Sequence, residues 1–97
     1  MPECNTMDDV RRNIDRLDHA IVSLIAERAT YVRKAAQLKM SREQIVDRAR
    51  IEEVVAKVRA RAQETDLDAD LAEQTYRRLI ELFIKYEEHE FSRFHAA

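Results

Sequence analysis

A chain of 97 residues has room for a single domain, 1–97, which buries only about two-thirds of its unfolded surface, so association with a second copy would add core. The sequence is 45% hydrophobic and 37% charged, with no glycine, no tryptophan and one proline at position 2, so nothing after the second residue punctuates a turn and an all-α fold is expected. The formal net charge of −2, with both signs interspersed, offers neither a basic field for DNA or RNA nor a polybasic patch for anionic lipid, which argues against nucleic acid and membrane as partners.

Residues 1 to 6 read as a disordered leader with neither the basic start nor the apolar run of a signal peptide. No stretch approaches the ~20 apolar residues of a membrane span. Cys4 is the only cysteine, and His19, His89 and His95 do not cluster, so no disulfide framework and no metal site are expected. These features suggest a cytoplasmic, reducing location. Thr6 or Asp8 can cap the first helix by accepting a bond from its free N–H groups.

From Val10 to Lys39 the pattern is one long helix with a heptad seam. Val10, Leu17, Leu24, Tyr31 and Leu38 fall seven apart, and Ile14, Ile21 and Ala35 form the interleaved series, which Arg28 interrupts. Arg11 and Lys39 border the same stripe. A guanidinium facing a packed seam needs an anion, either a carboxylate of the protein or a carboxylate of a small ligand. Arg28 and Lys39 are eleven residues apart on nearly one face, roughly 16 Å along the axis, so their long side chains can converge on one small molecule. Arg11 lies roughly 25 Å before Arg28 and must serve a different site. The natural candidate is the equivalent site of a second protomer lying antiparallel.

The helical pattern fades after Leu38, and a short loop is expected within 40 to 47. Ser41-Arg42-Glu43-Gln44 matches a capping box, although Asp47 can cap the next helix as well. Ile51, Val54, Val55, Val58 and Ala62 then form a second stripe, with Arg59 and Arg61 on the solvent side. Asp47 and Arg50 precede it by one turn, as either ligand-facing groups or an exposed ion pair. Thr65-Asp66-Leu67-Asp68 breaks the pattern, and Leu71, Thr75, Leu79, Leu82, Phe83 and Tyr86 define a third helix to about Phe91. Glu87, four residues after Phe83, adjoins that apolar stripe, although a lone glutamate there is more often a tilted surface residue.

The three-helix pattern and its charges resemble the all-helical class of chorismate mutases, type II. Val10-Arg11-Arg12-Asn13-Ile14-Asp15-Arg16-Leu17-Asp18, then Ala26-Glu27-Arg28, then Lys39 look like that family's first-helix motif in register. Asp47-Arg48-Ala49-Arg50 looks like the start of its second helix and Leu67-Asp68-Ala69 like the start of its third, and the resemblance covers roughly residues 8 to 92. It implies an intertwined antiparallel homodimer with two active sites, each completed by Arg11 of the other chain. It implies further that Arg28 and the partner's Arg11 hold the two carboxylates of chorismate and that Lys39 bonds the ether oxygen. Asp47 and Arg50 would lie by the substrate hydroxyl and the side-chain carboxylate. The reaction is the pericyclic conversion of chorismate to prephenate, with no cofactor.

Three positions depart from the family pattern. Ile51 stands where many mutases have a glutamate for the substrate hydroxyl, Phe83 replaces a serine, and Glu87 replaces the glutamine that partners the lysine. Ile51 and Tyr31-Val32 look closer to the isochorismate pyruvate-lyase branch, which forms salicylate on the same scaffold, although that branch keeps the glutamine. The alternatives to a mutase are therefore such a lyase and a non-catalytic helical dimerisation module. A chain of this length leaves no room for a regulatory domain, and no allosteric control within it is expected.

Overall fold

The computed structural model describes residues 4–96, which form three α-helices: α1, Met7–Leu38; α2, Arg48–Glu64; and α3, Ala69–Phe94. A single 3₁₀ turn, Arg42–Gln44, interrupts the connection from α1 to α2, and there is no strand among the described residues. The fold is all-helical with a long first helix. Of the expected leader, residues 1–3 lie outside the described residues. Asn5 and Thr6 are tied to the start of α1, because the Asp9 carboxylate accepts from both of their N–H groups at 3.1 and 3.2 Å while Thr6 Oγ1 accepts from Asp9 N–H at 3.1 Å. Thr6, rather than Asp8, is the cap. The Asn5 N–H, followed by the Thr6 hydroxyl, holds the Asp9 carboxyl below its ordinary value.

The chain divides after Tyr31 into two units. The first carries the N-terminal turns of α1. Its heptad seam is laid out as the sequence indicates, but Ile14, Leu17, Ile21, Leu24 and Tyr31 are exposed within the single chain, Tyr31 by 71%. The second unit holds the last turns of α1 and the hairpin of α2 and α3, which pack on each other. Val55 and Ala62 on α2 and Ala72 and Ile80 on α3 are buried. A separate cluster forms where Ala36, Ile45 and Phe91 meet, with Ile84 packed against it.

The α2–α3 turn is built by side chains in place of glycine. Asp66 takes φ 58, the one positive φ among the described residues, and Leu67 N–H closes onto Ala62 O at 2.8 Å. Asp68 Oδ1 then accepts from Asp70 and Leu71 N–H groups and starts α3. Two expectations need correction here. The buried residues of α3 are Ala72, Ile80, Glu87, Glu90 and Phe91, and of the expected stripe Leu79, Phe83 and Tyr86 are half-buried while Leu71, Thr75 and Leu82 are exposed. α2 covers the Ala72–Ile80 side, and α3 has enough apolar residues on its flanks for periodicity alone to mistake the face. Arg59 is half-buried, not solvent-facing, because it spans to α3 and donates to Asp70 and Glu73, both at 2.9 Å. Arg77 completes the lattice by donating to Glu73 and, through both Nη atoms, to Glu52.

Candidate functional site

Where α1 ends, the backbone turns through residues 39–47 and leaves an open cavity of about 860 Å³. Ala35, Leu38 and Lys39 line it from the end of α1, Met40, Val46 and Asp47 from the loop, and Arg48 from the first turn of α2. Polar side chains set the loop's course. Gln44 Oε1 accepts from Met40 N–H at 2.7 Å, and Asp47 Oδ1 accepts from Arg50 N–H at 3.0 Å as the cap of α2. The Ser41 to Gln44 signal thus opens the 3₁₀ turn, while Asp47 starts the helix.

Lys39 reaches from this cavity to α3, where its Nζ donates to Glu87 Oε2 at 2.6 Å. Glu87 is buried, 8% exposed, on the same side of α3 as Phe83, and is not the tilted surface residue that a lone glutamate there more often is. An ammonium has three donors and this bond uses one, so two remain for other acceptors. The carboxylate, by contrast, only accepts while ionised and offers no proton to a ligand.

A second polar chain lies beside the pair. Arg33 Nη1 donates to Tyr86 OH at 2.8 Å, Tyr86 OH donates to Glu90 at 3.4 Å, and Arg93 Nη1 donates to both Glu90 oxygens at 3.1 and 2.9 Å. Glu90 is 3% exposed, and the Arg93 bond outweighs burial and keeps its carboxyl below the ordinary value. The Tyr86 hydroxyl in turn holds the Arg33 guanidinium more firmly protonated. Phe83 meets the Tyr86 ring edge to face, with centroids 6.0 Å apart.

Among the residues expected to bind ligand, Lys39 and Asp47 line the cavity, and Glu87 stands directly behind Lys39. Arg50 is exposed and its guanidinium pairs with Glu53, so the Asp47–Arg50 ion pair is replaced by a cap and a separate surface pair. Ile51 on α2 and Phe83 on α3 are half-buried. In the first unit, Arg11 is exposed and Arg28 half-buried on α1. Arg48 was legible only as a spacer within Asp47-Arg48-Ala49-Arg50, yet it lines the cavity. Glu90, three residues after Glu87 and seven after Phe83, carries the same heptad signal as Glu87 and is the more deeply buried of the two.

Residues 10–88 match the family model described as Chorismate mutase type II. Over 82 residues the chain is 30% identical to the isochorismate pyruvate lyase of Pseudomonas aeruginosa, a match spanning 84% of this chain and 81% of that protein. No helix among the described residues is long and apolar enough to cross a membrane.

Proposed function

The chain belongs to the chorismate mutase type II family, and we propose that it is a chorismate mutase, rearranging chorismate to prephenate in the cytoplasm on the route to aromatic amino acids. In that rearrangement the ether carbon–oxygen bond breaks as a new carbon–carbon bond forms within one molecule, and no group leaves. The protein's task is to hold the compact conformer and to stabilise the charge that grows on the ether oxygen. Lys39 is the donor to that oxygen. Arg28 and Arg11 of the partner subunit take the two carboxylates, Asp47 and Arg50 the hydroxyl end and the side-chain carboxylate, and Ile51 and Phe83 supply apolar walls. Glu87 serves as a second donor when protonated.

The observation that supports this reading best is the placement of Lys39 on the wall of the cavity with Glu87 against its ammonium, at the two positions where the family pattern puts the ether-oxygen pair. The homodimer is supported by the exposed seam of α1, which an antiparallel second copy would cover.

A second reading, an isochorismate pyruvate lyase, is favoured by the 30% identity to the Pseudomonas aeruginosa protein together with Ile51 and Tyr31-Val32. One experiment separates them. The protein is incubated with chorismate and, separately, with isochorismate, following loss of ultraviolet absorbance and the appearance of prephenate or of salicylate with pyruvate. Prephenate from chorismate as the faster reaction supports the mutase. Salicylate as the faster product supports the lyase, and a folded dimer inert towards both is a dimerisation module.

A further inference from the structure

Three residues at four-residue intervals, Glu87 and Phe91 on α3 and His95 just past its end, reach the end of α1. Glu87 accepts from Lys39, Phe91 packs with Ala36 and Ile45, and His95 Nε2 lies 3.1 Å from Ala36 O. The His95 ring stacks on Phe91, with centroids 4.1 Å apart and planes at 27°. A carbonyl oxygen only accepts, so Nε2 carries the proton in this bond. The loop is held by the same turns of α3: the Arg42 guanidinium stands 5.4 Å from the centre of the Phe91 ring and donates to Ser92 Oγ.

These bonds fix where α1 stops. Lys39 N–H still makes a helical bond to Ala35 O at 2.9 Å. The next helical bond would run from Met40 N–H to Ala36 O, but Gln44 takes the Met40 donor and His95 takes the Ala36 acceptor. A helix end leaves such groups unsatisfied, and here two side chains split one would-be pair between them. The break falls immediately after Lys39.

We propose that His95 is a positioning residue: by capping Ala36 O it ends α1 at Leu38 and fixes the Lys39 ammonium on the cavity wall. The catalytic part of this proposal rests on the mutase or lyase reading of Lys39. His95 touches no substrate and acts through the backbone. Because Lys39 is needed most as charge develops, a looser helix end lowers kcat while leaving KM nearly unchanged.

The test compares three full-length variants. His95→Phe keeps the stack on Phe91 but has no donor, His95→Gln keeps an amide donor without the ring, and His95→Ala has neither. With whichever substrate the wild type consumes, kcat per folded protein falls about tenfold in the Phe and Ala variants with KM within about twofold, and the Gln variant recovers most of it. Amide hydrogen exchange at residues 36–40 speeds up in the Phe and Ala variants and not in the Gln variant, while melting shows the Phe variant as stable as wild type. Wild-type kcat and exchange in the Phe variant overturn the proposal, as does a Gln variant no better than Ala. If the wild type consumes neither substrate, the functional reading fails on its own. Exchange at 36–40 then decides the positioning role: faster in the Phe variant supports it, unchanged refutes it.

Discussion

Lys39 and Glu87 are 48 residues apart in sequence and 2.6 Å apart in space, and the lysine ammonium beside the cavity donates to the Glu87 carboxylate. An ionised Glu87 binds Lys39 but cannot donate to a substrate oxygen, and it repels negative charge growing there. Glu87→Gln keeps an acceptor for Lys39 and adds an N–H donor. At neutral pH kcat/KM should hold or rise, by up to about tenfold. Steady-state kinetics of the two proteins at neutral pH check this, and an inactive Gln variant removes Glu87 from the ether oxygen.

The proposed sharing of a site across two chains makes a complementation prediction. Arg11→Ala and Arg28→Ala proteins should each be nearly inactive, yet refolding them together should restore activity. Random pairing gives half mixed dimers, each with both lesions in one site and the other site whole, so recovery approaches about one quarter of wild type. Mixed dimers that form without any recovery would show that Arg11 does not complete its partner's site.

Acid should weaken the α2–α3 hairpin. Arg77 is the leading cause that holds both Glu52 and Glu73 below their ordinary value of 4.5, with Arg59 adding to Glu73. The folded-state values are the depressed ones, so their contribution is complete above 4.5 and lost as pH falls through the lower folded values. The melting temperature should therefore be level near neutrality and drop below about pH 4.5, with a shallower drop for Arg77→Ala. Thermal unfolding by circular dichroism between about pH 3 and pH 7 checks this, and equal slopes for the two proteins would contradict it.

Asp66 holds φ 58 in a chain without glycine. Replacing it with glycine relieves the left-handed backbone but adds freedom to the unfolded chain, so Asp66→Gly should stabilise by about 0.5–1 kcal/mol, while Asp66→Val should cost more than that. Urea unfolding gives both values. A valine variant as stable as wild type would mean that the turn has another conformation open to it.

The helices, their order and most of their caps were legible because local chemistry writes them: Thr6 with Asp9, Asp47 before α2 and Asp68 before α3 all act on N–H groups within a turn. The side of α3 that carries Glu87 was legible too, from its spacing against Phe83, although its burial was not. What escaped notice was decided by contacts distant in sequence. Apolar side chains on both flanks of α3 leave its buried face to be chosen by α2, and Arg59 finds partners on α3 that its own turn does not predict. His95 looked like an isolated histidine, since nothing near it announces a bond to Ala36, 59 residues away.

If a second chain covers the exposed seam of α1, as proposed, the behaviour of this protein is tied to its abundance. If burial of Leu17, Ile21 and Leu24 waits on a second chain, folding and pairing share one equilibrium, and the unfolding midpoint climbs with protein concentration. Dilution then removes stability and turnover together. Where most chains are unpaired, completed sites follow the square of the concentration, so halving the amount of chain removes about three quarters of them.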